Sequence, residues 1–172
     1  MKSYSAGAAA RVISVLAPTF CLGAAPALAD KDVFGRFVGR WDIQAKTTQP
    51  QRSKMAYSET YEWTLDGKFI QGRTGRKADG SYDIAYGTYD KKADGYPFWI
   101  FSSSGSYTYL APAKWYSGKQ MMEWENPKDW DVAYHSRCYF PDADNRACNL
   151  IIKDWKGKVL LEMEWRAVRR GN

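Results

Sequence analysis

The stretch MAYSETYEWTL, residues 55–65, alternates strictly, and this most constrains the fold. Tyr57, Glu59, Tyr61, Trp63 and Leu65 share one face of an extended chain. Ala56, Ser58, Thr60, Glu62 and Thr64 share the other, the pattern of a half-buried strand. Asp66-Gly67 follows, a strong two-residue hairpin signal, and KFIQGRTGRK returns. That turn pairs Leu65 with Lys68, and therefore Trp63 with Ile70, Tyr61 with Gly72, Glu59 with Thr74 and Tyr57 with Arg76. A tyrosine ring suits an opposing glycine, so the aromatic face is expected inward. The face carrying Glu62 with Gln71 and Thr60 with Arg73 is expected outward. Glu59 and Arg76 then share the inner face, diagonal to each other. Charges so placed must be paired or hydrogen-bonded, either wetted near an open end or lining a polar spot in a cavity.

The same reading extends along the chain. Short alternating segments, SYDIAYGTYD, YPFWIFSSS, KQMMEWE, WDVAYHSRCYF, RACNLIIKDW and KVLLEMEWRAV, are separated by turn signals at Ala78-Asp79-Gly80, 91–95, Ser117-Gly118, Asn126-Pro127, 142–145 and Lys156-Gly157. SYTYLAPAKWY is a poorer strand because Pro112 interrupts it. With the segment opened by Gly39-Arg40-Trp41 the count is about ten strands, as in all-β sandwiches and barrels. Only DKDVFGRF, before Trp41, suits a short helical turn. No linker or repeat divides residues 30–172, so a single domain is expected.

The first 29 residues read as a signal peptide. Lys2 and Arg11 form a basic start, an apolar run broken by Pro18 follows, and Ala27-Leu28-Ala29 presents a small-x-small cleavage pattern before Asp30. The run is too short and broken to span a membrane. Cleavage is expected at Ala29-Asp30, with a periplasmic or secreted product. Cys21 lacks the small residues before it that a lipoprotein anchor requires. The formal net charge of +6 is spread along the chain, giving a weak bias toward anionic partners and no nucleic-acid footprint. The pair Arg169-Arg170 reads as a solvated tail.

Cys138 and Cys148 remain after cleavage, and in an oxidising compartment they are expected to pair. A three- or five-residue loop around 142–144 sets them opposite each other on neighbouring strands, within reach of a bridge. A metal site is not indicated, since the chain has one histidine, His135, and no Cys-x-x-Cys.

Gly39-x-Trp41 opening the first of about ten antiparallel strands resembles the calycin and lipocalin pattern. VGRWD, YEWTLDGKFIQG, YGTYDKKADGYPFWIFSSSG and MMEWE together resemble uncharacterised secreted bacterial domains with a calycin-like barrel. The likeness covers about residues 37–125, with Leu65-Asp66-Gly67-Lys68-Phe69 its best piece. It implies an all-β, antiparallel, up-and-down barrel of about 8–10 strands, with Trp41 packed across one end. It carries no activity over. The related nitrobindin-like haem proteins carry a Gly-x-Trp-x-Gly-x-Gly run and a late-strand histidine. GRWDIQA lacks both later glycines, and His135 is out of phase with Tyr134 and Cys138, so haem is disfavoured and no cofactor is expected.

Catalytic patterns are sparse. No Gly-x-Ser-x-Gly elbow accompanies His135. Glu162 and Glu164 share a solvent face with Arg166, while Glu123 and Glu125 lie outside or at a rim. The leading expectation is an exported binding protein that takes a small apolar or anionic molecule into the barrel, lined by Trp41, Tyr57, Glu59, Tyr61, Trp63, Arg76 and Tyr86. Two alternatives stay open: an isomerase or hydrolase using Glu59 as acid or base, and a filled barrel acting through its surface.

Overall fold

The computed structural model describes residues 30–127 and 131–171. The segment read above as a signal peptide, Cys21 included, lies outside the described residues. A short helix α1 (Asp30–Gly35) precedes ten strands: β1 (Gly39–Gln49), β2 (Ser53–Thr64), β3 (Phe69–Thr74), β4 (Asp83–Gly87), β5 (Tyr96–Ser102), β6 (Tyr107–Tyr116), β7 (Met121–Glu125), β8 (Val132–Tyr139), β9 (Asn145–Asp154) and β10 (Val159–Arg169). Each strand pairs with its neighbour in sequence, and β1 pairs with β10, so the sheet closes into an antiparallel up-and-down barrel. Closure leaves no free edge among these strands.

The first hairpin has the expected register: Trp63 faces Ile70, Tyr61 faces Gly72 and Glu59 faces Thr74. A Cβ on Gly72 would collide with the Tyr61 ring, so the glycine is what lets that ring lie flat inside the wall. The ladder ends at Thr74, and Arg76 leaves it. Pro112 does not end β6. The register between β5 and β6 slips there, and the bulge absorbs the residue that has no N–H to donate.

One end of the barrel is closed. Phe34 and Phe37, from α1 and the turn after it, enter the bore and meet Trp63, Tyr96, Phe98 and Phe140 edge-on or tilted, with centroids 5.0 to 6.3 Å apart. Trp41 is fully buried in the layer beneath, and its Nε1 donates to the Phe37 carbonyl at 2.7 Å. The plug is therefore shared: Phe34 and Phe37 close the bore, and Trp41 ties them to the first strand. As expected, Arg40 and Asp42 point outward.

Arg169 corrects the reading of the C-terminus as a solvated tail. It pairs with Trp41 across β1 and β10, lies 4.3 Å from that ring's centroid, and donates to the carbonyls of Val38, Arg36 and Ala143. Arg170 is ion-paired to Asp42. One guanidinium thus satisfies carbonyls of the plug segment that no strand reaches.

Cys138 and Cys148 face each other across β8 and β9 and are bonded as a disulfide, inward and buried.

Candidate functional site

The inward faces change character along the bore. Near the plug Phe34, Phe37, Trp41, Ile70 and Phe98 are buried and Tyr61, Trp63 and Trp115 half-buried. Toward the other end, which carries the loops β1–β2, β3–β4, β5–β6 and β9–β10, Tyr57, Ala85, Ile100, Leu110, Leu150, Ile152 and Met163 face inward yet are only half-buried. The barrel is sealed at one end by Phe34, Phe37 and Trp41, and these half-buried side chains line its inner wall toward the other.

At its floor lies an ion pair. Arg146 on β9 and Glu59 on β2 are both buried, at 3% and 8% exposure, and Arg146 Nη2 donates to Glu59 Oε2 at 2.5 Å. On the wall between them stand Ala167 of β10 and Ile43 of β1. The small Ala167 leaves room for the guanidinium to cross. Its carbon lies 5.0 Å from the Trp41 ring centroid, 5.2 Å from Phe37 and 5.5 Å from Tyr61. Taking an arginine out of water is costly, and it is tolerated here because a carboxylate and three ring faces surround it. Burial, the largest influence, opposes the charge on Arg146, but Glu59 and Tyr61 together, by charge and hydrogen bonding, raise its pKa above the ordinary value.

Tyr57 and Tyr61 flank Glu59 on the same face. Burial, and then the charge of Glu59, push both phenols above their ordinary value. Both stay protonated and can donate. Among the described residues, Arg36 Nε, Arg146 Nε, Trp115 Nε1 and Trp124 Nε1 are buried without a hydrogen-bond partner. All four are donors, so the interior is short of acceptors.

Of the residues expected to line the lumen, Trp41, Tyr57, Glu59, Tyr61 and Trp63 all face inward. Trp63 meets the Phe34 ring of the plug rather than the open bore. Two are not brought to them. Arg76 is exposed in the β3–β4 loop, over the Tyr82 ring and bonded to the Gly80 carbonyl. Its expected place opposite Tyr57 does not form, because the β2–β3 ladder ends at Glu59 and Thr74 and the chain turns away after Gly75, whose N–H donates to the Ser58 carbonyl. Tyr86 is on the outer face, in register with Gln71 and Trp99. The inward positions of β4 are Ala85 and Gly87. A Cβ on Gly87 would stand 2.7 Å from the Phe98 ring, so the small face must turn in. Sequence reasoning missed Arg146, although its alternation with Cys148 places it on the disulfide's face.

Outside the barrel, Glu123 accepts from Arg137 Nε at 2.6 Å, and His135 Nε2 lies 2.7 Å from the same oxygen. His135 points outward, as expected from its phase. Among the described residues, no group of three or more His, Cys, Asp or Glu could hold a metal ion, and no helix is long and apolar enough to cross a membrane.

No protein-family model matches the sequence, and no curated protein matches it. Solved structures are similar in fold. The S-type phycobiliprotein lyase CPES from Guillardia theta superposes with a TM-score of 0.52 at 16% identity, over 83% of this chain and 93% of that one. Rv2717c from M. tuberculosis gives 0.60 at 14% identity, over 84% and 100%. A protein of unknown function from the DUF3598 family of Nostoc punctiforme gives 0.50 at 11% identity, over 80% and 48%. At these identities the likeness is one of fold.

Proposed function

We propose that the protein is an exported binding protein that takes a small, partly apolar molecule into the open bore. One observation carries the reading: inward-facing Tyr57, Ala85, Ile100, Leu110, Leu150, Ile152 and Met163 remain half-buried inside a closed wall. Their aliphatic and aromatic surfaces suit an apolar body. The donor-rich floor at Tyr57, Tyr61 and Arg146 suits a hydrogen-bond acceptor at one end of it, a carbonyl or carboxylate. The lyase named above adds a barrel of similar fold. Export rests on the N-terminal sequence: a basic start, a short apolar run and Ala27-Leu28-Ala29.

The test is native mass spectrometry of protein recovered from the exported fraction of its source cells, beside the lumen-filling variant Ala85→Trp. The expected result is a chain beginning at Asp30 that carries an added small-molecule mass, with that mass lost from the variant. A chain beginning at Met1 would overturn export. Equal added mass on parent and variant, or on neither, would overturn the lumen as the binding place.

A further inference from the structure

The open end carries exposed apolar side chains that the lumen does not use. Trp155, at the tip of the β9–β10 turn, is 79% exposed, and Tyr107, at the start of β6, is 76% exposed. Phe101, Leu160 and Val132, on β5, β10 and β8 beside the same opening, are also exposed. These residues stand on different sides of the mouth, because β5 and β6 lie across the ring from β9 and β10. A pocket on a partner protein would engage one of them at a time. A flat surface is the shape that suits exposed side chains spread around an opening.

The surroundings of Trp155 are basic, while Asp131 beside Val132, Glu125 and Asp79 are exposed elsewhere on the same end. Lys153, Lys156 and Lys158 are exposed around Trp155, and the Lys156 ammonium lies 4.7 Å from the Trp155 ring centroid. Asp154, the one acid of that hairpin tip, is turned inward to accept from the amides of Lys156 and Lys158. Arg52 and Arg76 stand exposed in two further loops of the same end. Asp79, beside Arg76, accepts from Ser81 within its own turn. Amphipathic aromatic rings with lysines around them are the side chains that settle at the headgroup level of a bilayer. Clustered lysines add attraction to anionic lipid.

We infer that the open rim docks on an anionic lipid surface, with Trp155 and Tyr107 as its anchors and Lys153, Lys156 and Lys158 as its charge contacts. Docked so, the mouth faces the bilayer, and an apolar molecule can pass between membrane and bore without crossing water. The inference concerns the rim alone and holds whether or not the bore is occupied.

The experiment is co-sedimentation of the purified processed protein, beginning at Asp30, with vesicles of phosphatidylglycerol and, separately, of phosphatidylcholine. The parent is compared with Trp155→Ser, with Lys156→Glu/Lys158→Glu, and with Leu65→Ser, an exposed apolar residue at the closed end. The account expects binding to phosphatidylglycerol that weakens with salt, falls about tenfold or more in the double charge reversal and several-fold in Trp155→Ser, and is unchanged in Leu65→Ser. Circular dichroism of each variant checks that the barrel is intact. Equal binding to both lipids, or parent-like binding by both rim variants, would overturn the inference.

Discussion

Arg146 on β9 and Glu59 on β2, 87 residues apart in sequence, hold their charges 2.5 Å apart at the floor of the bore. This contact spans four strands of the wall, β9, β10, β1 and β2, including the closing pair β1–β10. Removing one partner leaves the other buried and uncompensated. Glu59→Gln is expected to destabilise by about 3–5 kcal/mol. Replacing both, with Glu59→Gln and Arg146→Met, is expected to recover most of that loss. Urea titrations of the three proteins check the order, and a double variant weaker than the single would contradict it.

Trp41 fills the layer beneath the plug with no exposed surface, whereas Trp155 stands in solvent. Trp41→Ala is expected to cost about 3–5 kcal/mol. Trp155→Ala is expected to stay within about 0.5 kcal/mol of the parent. Equal urea midpoints for the parent and Trp41→Ala would remove the tryptophan's anchoring role.

The bridge between Cys138 and Cys148 closes a short loop, with the two residues 10 apart in sequence. By chain entropy it should contribute about 2–3 kcal/mol, lost in Cys138→Ser/Cys148→Ser. Thiol labelling of unreduced protein in denaturant should find neither of these cysteines reactive.

The outer-face Glu123 gives a pH dependence. The hydrogen bond with His135, then those with Arg137 and Tyr116, pull its carboxyl down from 4.5 to about 2, against the opposing effect of burial. A carboxyl lowered by folding contributes stability that is fully present above its unfolded value and is lost as the pH falls through the folded one. Stability should therefore decline between about pH 4.5 and pH 2. In Glu123→Gln that part of the decline should vanish. Urea midpoints measured across this range check it, and parallel curves for the two proteins would refute the assignment.

What the sequence made legible was local. The register of Tyr61 with Gly72 follows from the Asp66-Gly67 turn, and that of Cys138 with Cys148 from a short loop. Alternation identifies two faces but not which one turns inward. In β4 the bulky Tyr86 reads as inward, and the ring of Phe98 on neighbouring β5 turns the other face in by needing Gly87 opposite it. Arg146 reaching Glu59, and Arg169 reaching the plug, depend on closure between β1 and β10. No periodicity within one segment carries that information. Lysines and arginines near chain ends are usually solvated, which is why Arg169 read as tail.

The account rests on an open bore bounded by Tyr57, Ala85, Ile100 and Leu150. Its most direct test is a fluorescence titration with 1-anilinonaphthalene-8-sulfonate, an apolar fluorophore bearing an anionic acceptor group. The account predicts saturable one-to-one binding by the parent, lost in Ala85→Trp while the variant keeps its circular dichroism and cooperative unfolding. Binding unchanged in Ala85→Trp, or none by the parent, would contradict it.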